Sequence, residues 1–286
     1  MLLASASALD ADVRADAPRE ARLLMAAALR VSPGTIARHV NLPATIVERT
    51  VVLAAAKRRA HGEPLAYAVG SAAFRHLMLL VDARVLIPRP ETEQVVEVAL
   101  RETAARAGGV AVDIGTGSGA IALSLATEGR FDRVVATDIS ADALAVAALN
   151  VEALAPVVPV ELRLGADLSP LATQHMGGVP GSNALRARVI VSNPPYIAYG
   201  EAHTLPDSVR NWEPATALFA ADDGMARYMA LLGGAAAYLE PGGVLVLEID
   251  ARRAAQTAAL ATSQGWRHVR VERDLSGRER VLVAYV

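Results

Sequence analysis

Val110-Ala-Val-Asp-Ile-Gly-Thr-Gly-Ser-Gly119 is the stretch that decides the fold. A short apolar run enters three glycines on alternate positions, and Ala120–Thr127 continues with a helical pattern. Glycine admits positive φ and leaves no Cβ between backbone and ligand. A turn so placed aims a helix N-terminus at the crevice above the strand ends. Val134-Val-Ala-Thr-Asp138 then closes a second strand with a carboxylate about 20 residues after the loop, where it can accept from both hydroxyls of a ribose. A structural turn without ligand competes with a nucleoside site, as does a dinucleotide site. The loop reads Gly-x-Gly-x-Gly and lacks a third glycine at the pyrophosphate spacing, with Asp113 in front. That favours S-adenosylmethionine over NAD.

Outward from the loop, from about residue 90, strand and helix alternate. Ala141–Ala153 reads as a helix, Val160–Leu164, Val189–Ser192 and Val244–Ile249 as strands, and a helix lies near Met225–Tyr238. Such alternation predicts an α/β fold with a mostly parallel sheet covered by helices on both faces. Trp266–Arg273 and Val281–Val286, joined around Ser276-Gly277, predict an antiparallel C-terminal hairpin at one edge. Residues 169–187 read as a loop insertion. Upstream, Pro18 and Pro43 each mark the start of a helix, the second ending at Gly62 and Pro64. Tyr67, Val69, Phe74, Leu77, Leu79 and Val81 alternate in two runs split by Gly70-Ser71, the pattern of a hairpin. Three units are expected: a helical domain over 1–64, a β-hairpin linker over 65–87, and the α/β domain over 88–286.

Composition supports a folded chain and narrows the chemistry open to it. Of 286 residues, 53% are hydrophobic and 20% charged, enough for a large core. No apolar run reaches the roughly 18 residues of a membrane-spanning helix, and the N-terminal stretch lacks the basic start of a secretory signal. A cytoplasmic protein without membrane contact is expected. Zero cysteines exclude disulfides, thiolate metal sites and a cysteine nucleophile. The six histidines are scattered without metal-ligand spacing, so no metal is expected. Net charge is −2 but uneven: residues 1–75 hold ten Lys/Arg against six Asp/Glu, and the rest is acidic. The basic segment suits either a solvated surface or an acidic or RNA-bound partner.

Val189-Ile-Val-Ser-Asn-Pro-Pro-Tyr196 ends a later strand on the same rim. An amide or aromatic amine nitrogen is a poor nucleophile because its lone pair is delocalised. Two acceptors, the Asn193 side-chain oxygen and the Pro194 carbonyl, can hold both hydrogens of an NH2 group and turn that lone pair toward an incoming methyl. Tyr196 can stack on the flat group, and Pro194-Pro195 stiffens the exit. A rigid strand exit with no chemistry is the competing reading.

The two motifs occur together in many methyltransferases that act on amino nitrogens, DNA adenine enzymes included. Arg84-Val-Leu-Ile-Pro-Arg-Pro-Glu-Thr-Glu93, Gly62-Glu-Pro-Leu-Ala-Tyr67 and Trp212-Glu-Pro, with Ala217-Leu-Phe219 and Asp223-Gly224, narrow the match. From residue 62 to 286 the chain resembles the peptide chain release factor glutamine N5-methyltransferases, the protein-(glutamine-N5) methyltransferases. The resemblance implies a Rossmann-like S-adenosylmethionine-dependent methyltransferase domain behind a small helical substrate-docking domain. The implied reaction is methylation of the glutamine of the Gly-Gly-Gln motif in class 1 release factors, in translation termination, with S-adenosyl-L-homocysteine as product. By position, Asp113 and Gly115, Thr116, Gly117, Ser118 and Gly119 would line the methionine end of the cofactor. Asp138 would bind the ribose, and Asp167 and Leu168 would flank the adenine. Asn193, Pro194, Pro195 and Tyr196 would clamp the substrate glutamine, and Pro88 to Thr92 would wall the site.

A monomer without direct nucleic-acid contact is expected. Glu248-Ile-Asp250 departs from the expected Glu-Ile-Gly, so the turn there is expected to differ. A nucleic-acid adenine N6-methyltransferase would bring a basic recognition region, which the acidic residues 76–286 do not supply. A non-catalytic cofactor-binding module would have no use for an amide clamp.

Overall fold

The computed structural model describes residues 16–29, 31, 33–38, 43–172 and 185–286. The first 15 residues, and residues 173–184 of the expected insertion, lie outside the described residues.

Helix α1 (Ala17–Ala28) carries Pro18 in its first turn, where a missing N–H costs nothing. After α2 (Pro33–Arg38), α3 (Ile46–Ala60) opens at Thr45 and not at Pro43. The Thr45 side chain accepts from Glu48 N, and Glu48 reaches back to Thr45 N at 2.7 Å, a capping box. The core here is small, built on Ala17, Leu24, Ala55 and Ala68. A buried two-bond ion pair from Arg59 to Glu20, at 2.8 and 2.9 Å, ties α1 to α3.

The linker differs from its expectation. Residues 65–69 form a helical turn, α4 (Leu65–Val69), closed by Gly70 at φ +77°. The paired strands are β1 (Ser71–Phe74) and β2 (Leu77–Leu80), and the hairpin turns at Arg75-His76, not at Gly70-Ser71. A run as short as Leu65–Val69 satisfies a helical turn as well as a strand. Tertiary contact decides: Ala68 joins the helical core, while Tyr67 packs on Val81, Val85 and Val146. Helix α5 (Pro90–Thr103) follows, a feature the alternation had not separated. Its signals are present: Pro90 in the first turn, Glu91 and Glu93 near the N-terminus, and Val95, Val96, Val98 and Ala99 buried.

Next come β3 (Val110–Ile114), α6 (Ala120–Glu128), β4 (Arg133–Asp138), α7 (Ala141–Leu154), β5 (Val160–Leu164) and β6 (Ala187–Ser192). A small parallel pair, β7 (Ile197–Ala198) with β8 (Phe219–Ala220), brackets the short helices α8 (Asp207–Arg210) and α9 (Ala215–Leu218). Then follow α10 (Ala226–Gly234), β9 (Leu239–Glu248), α11 (Ala254–Ser263), β10 (Arg267–Arg273) and β11 (Glu279–Tyr285). The seven-stranded sheet runs β10-β11-β9-β6-β3-β4-β5. The five strands from β9 to β5 are parallel, and β11 and β10 add antiparallel at the edge. This bears out the predicted α/β class and C-terminal hairpin.

Alternate residues of β3 feed two cores, one on each face of the sheet. Ala111 belongs to one, and Val112 and Ile114 to the other. All six residues of β6 are buried, as a central parallel strand requires. The chain order reverses at β3, with β4 on one side and β6 on the other. This switch point opens a crevice at the strand C-termini, and both motifs end there.

Candidate active site

The glycine loop leaves β3 and is pinned by its neighbour strand: Gly115 N and Thr116 N both donate to Thr137 O at 2.9 Å. Gly115 and Gly117 take φ of +75° and +54°, and a Cβ on either would stand in open space within the cleft. Here glycine keeps the backbone bare toward the cavity as well as allowing the turn. The cleft lies at the strand C-termini and is lined by Gly115, Gly117, Asp138, Asp167 and Asn193.

Asp138 reaches under the loop. Its Oδ2 accepts from Gly117 N and its Oδ1 from Ser140 N, each at 2.9 Å. A carboxylate offers about four lone-pair positions, so two remain for hydroxyls of a ligand in the cleft. Asp167 lines the same cleft, ion-paired to Arg227. Arg84, also on the wall, is occupied by Asp82. With Arg84 paired to Asp82, Arg227 paired to Asp167, and Asp138 facing in without a cation, the wall suits the hydroxyls of a nucleoside and disfavours a pyrophosphate. The residues present fit an S-adenosyl group.

Other residues expected at the cofactor stand further back. Asp113 is fully buried below the loop, where its Oδ2 accepts from Thr116 Oγ1 at 2.6 Å and from Ala122 N at 3.1 Å. Burial pushes its carboxyl up to about 7, against those two bonds and with help from the Asp138 charge. Its Oδ1 has no partner among the described residues. Asp113 therefore braces the loop and does not line the cleft. Thr116 and Ser118 line a smaller recess that continues toward Thr92 and Asn193. Gly119, at φ +86°, is the turn residue before α6. The Leu168 side chain packs into the core and does not line the cleft.

Asn193, Pro194 and Pro195 form a partition: they line this cleft and also a second cleft beyond it. Tyr196 and Glu248 line only the second. Gly224 lets its own segment, far along the chain, pass close against the motif. A Cβ there would sit 2.3 Å from the Tyr196 carbonyl oxygen, at φ +85°.

Several contributors were not legible as functional residues. Asn193 Nδ2 donates to Thr92 Oγ1 at 3.0 Å, and Thr92 Oγ1 donates to Glu248 Oε2 at 2.6 Å. Tyr196 OH donates to Glu248 Oε1 at 3.4 Å. Burial pushes the Glu248 carboxyl up to about 7, opposed by Thr92 and the Arg280 charge. Glu213, buried, accepts from Ile87 N at 3.2 Å and pairs with Arg89, bolting the 84–93 segment to the 212–219 segment over both clefts. Asn150 holds the loop from below, donating to Ser118 O at 2.8 Å and to Leu80 O at 3.0 Å. These residues sit in different motifs, and nothing local to any of them announces the meeting. The turn at Asp250 needs no glycine, because its φ is −68°. Its carboxylate caps Arg252 N and pairs with Arg252 and Arg253.

The sheet order and the glycine-built cleft at its switch point define a Rossmann-like methyltransferase. A methyltransferase from Pyrococcus furiosus superposes with a TM-score of 0.51 at 20% identity, covering 72% of this chain and 87% of that one. A T. thermophilus 16S rRNA methyltransferase, solved with AdoMet and guanosine, gives 0.52 at 19% identity over 75% and 49%. At such identities the likeness is one of fold. Residues 2–70 match the family PrmC N-terminal domain, and residues 93–205 the Methyltransferase small domain. The release factor glutamine methyltransferase of Cereibacter sphaeroides is 39% identical over 269 residues, 94% of this chain and 91% of that protein. That of Bordetella pertussis is 39% identical over 267 residues, 93% and 94%. The chain belongs to the release factor glutamine methyltransferase family.

Proposed function

We infer that this protein transfers a methyl group from S-adenosylmethionine to the side-chain amide N5 of the glutamine in the Gly-Gly-Gln motif of class 1 peptide chain release factors, with S-adenosyl-L-homocysteine as product. One observation carries the reading. The Asn193–Pro195 partition lies between a cleft lined by Gly115, Gly117 and Asp138 and a second cleft lined by Tyr196 and Glu248.

Gly115, Gly117 and Asp138 would hold the cofactor, which when bound supplies an electrophilic methyl. The protein's own work is orientation. With Nδ2 committed to Thr92, Asn193 presents Oδ1 as an acceptor. That oxygen and the Pro194 carbonyl would take the two amide hydrogens and point the nitrogen lone pair across the partition. Tyr196 would pack against the amide plane and, with the second cleft around it, exclude water. No strong base belongs to either motif, so the amide nitrogen would attack while neutral and lose its proton to solvent once the new N–C bond makes it acidic. Catalysis by positioning and fixed dipoles fits this site. The proposed roles of Asp167 beside the adenine and of residues 1–64 as a docking domain rest on position and on the net positive charge of residues 1–75. A cytoplasmic location fits this substrate.

The test is incubation of the purified protein with labelled S-adenosylmethionine and an unmodified class 1 release factor, followed by mass mapping. Label on the Gly-Gly-Gln glutamine is expected. Label on nucleic acid alone would overturn the reading in favour of an adenine methyltransferase. Removing residues 1–64 should leave cofactor binding in place and raise KM for the whole release factor. An unchanged KM would reduce that domain to a cap.

A further inference from the structure

Two buried groups stand behind Asn193, and the clamp described above uses only the nearer, Thr92, as the acceptor of Nδ2. Thr92 lies in the first turn of α5 and Glu248 at the end of β9, 156 residues apart in sequence, and both are almost without solvent. They form a line: Asn193 Nδ2 to Thr92 Oγ1 at 3.0 Å, then Thr92 Oγ1 to Glu248 Oε2 at 2.6 Å.

The direction of that line carries information. A threonine hydroxyl alone cannot tell the two ends of an asparagine amide apart, since it donates to an oxygen as readily as it accepts from an NH2. An ionised carboxylate only accepts. Above about pH 7, where Glu248 is ionised, it takes the single Thr92 proton, and the hydroxyl can only accept from Asn193. A flipped amide would set oxygen against oxygen with no proton between them. Asn193 is left with Oδ1 toward the clefts it lines.

We propose that Thr92 and Glu248 are positioning residues that set which end of the Asn193 amide faces the substrate, an inference that rests on the function proposed above. Packing alone would not need this pair, because a valine would fill the Thr92 site. Thr92→Val keeps the shape and removes the hydroxyl, so kcat for release factor methylation should fall at least about 10-fold, less than the roughly 10²-fold for loss of a group that itself touches the reacting atoms. KM and cofactor affinity should change less than about 3-fold, since neither depends on a fixed amide end. Thr92→Ser restores the hydroxyl and should restore most of kcat.

A double-mutant cycle supplies a readout that stability does not move. With Asn193→Ala already present, Thr92→Val should cost nothing more in kcat, because the group it orients is gone. Should Thr92→Val prove unstable, Thr92→Ser against Thr92→Ala in the same cycle answers the question. Wild-type kcat in Thr92→Val, or full additivity with Asn193→Ala, would overturn the proposal and leave the function standing. Failure of the wild-type protein to methylate a release factor would overturn both.

Discussion

The glycine loop and the Asn193 partition face one another across a cleft and are built in opposite ways. The loop is backbone. Its contacts run between chain neighbours or adjacent parallel strands: Gly115 N and Thr116 N to Thr137 O, and Gly117 N to Asp138. Apart from Asn150 beneath Ser118 and Ser140 on Asp138, its parts lie within residues 110–138. The partition is made of side chains brought from far apart, with Asn193 from the end of β6, Thr92 from α5 and Glu248 from β9. A backbone cradle tolerates changes of side chain and fails mainly when a Cβ or a clash enters it. A side-chain relay has its directionality set by each member in turn, so one substitution at a distance can reach the reacting group. On the proposed function, the comparison assigns binding to the loop and orientation to the relay.

The largest expected effect would break that separation if it failed. Asn193→Ala should lower kcat at least about 10²-fold, the scale for loss of a preorganised catalytic hydrogen-bonding group, with little change in cofactor affinity by calorimetry. Asn193→Asp keeps an acceptor oxygen, so partial activity is expected; activity equal to that of Asn193→Ala would show that an acceptor there is not enough. A wild-type rate in Asn193→Ala would end the clamp mechanism.

On the other side, Asp138→Ala removes the carboxylate under Gly117 and its free lone pairs. Cofactor binding should weaken by about 2–3 kcal/mol, the worth of a charge-assisted two-bond contact. Single-turnover chemistry at saturating cofactor should fall much less. A loss confined to the chemical step, with affinity untouched, would show that the ribose is held elsewhere.

The smallest effect is one of pH, and it sharpens the comparison because each region holds one buried acid. Burial pushes Asp113 and Glu248 up to about 7 from ordinary carboxylate values. An acid whose folded pKa lies above its unfolded one holds more protons when folded between the two, so its contribution to stability falls as pH rises through that window. Relative to wild type, Asp113→Asn and Glu248→Gln should each gain stability from about pH 4.5 to 7, on the order of 1 kcal/mol per pH unit. Chemical denaturation across that range measures it, and parallel curves would contradict the assignment. The groups facing Glu248 are Arg280, Glu91, Tyr196 and Thr92. Once protonated it can donate to Thr92, and the amide end is no longer fixed. In Glu248→Gln, kcat should therefore be low and should lose the fall below about pH 7, whereas Asp113→Asn should retain that fall.

The loop, the strand ending at Asp138 and the exit at Asn193–Tyr196 were legible because each is a contiguous pattern with its own local physics. Alternate glycines force a turn, apolar runs of fitting length force central parallel strands, and paired prolines stiffen an exit. Misreadings fell where local signals are ambiguous. Leu65–Val69 suits a helical turn as well as a strand, and its contacts with Ala17 and Leu24 on one side and Val85 on the other chose the helix. Asp113 and Leu168 sit at the expected positions in the chain, yet one is turned beneath the loop and the other into the core. Sequence spacing locates a residue along the chain and does not say which way its side chain points.

By itself the sequence determined the sheet with its antiparallel edge, the two rims of the cleft and the kind of chemistry those rims suit, since period, glycine spacing and an amide beside two prolines are local properties. Only the tertiary structure decided which groups stand behind the reacting amide. Thr92 and Glu248 acquire a role through a 2.6 Å bond between a helix start and a strand end. A single chain does not encode that meeting locally, because a hydrogen bond between distant residues exists only once the sheet has brought α5 and β9 together.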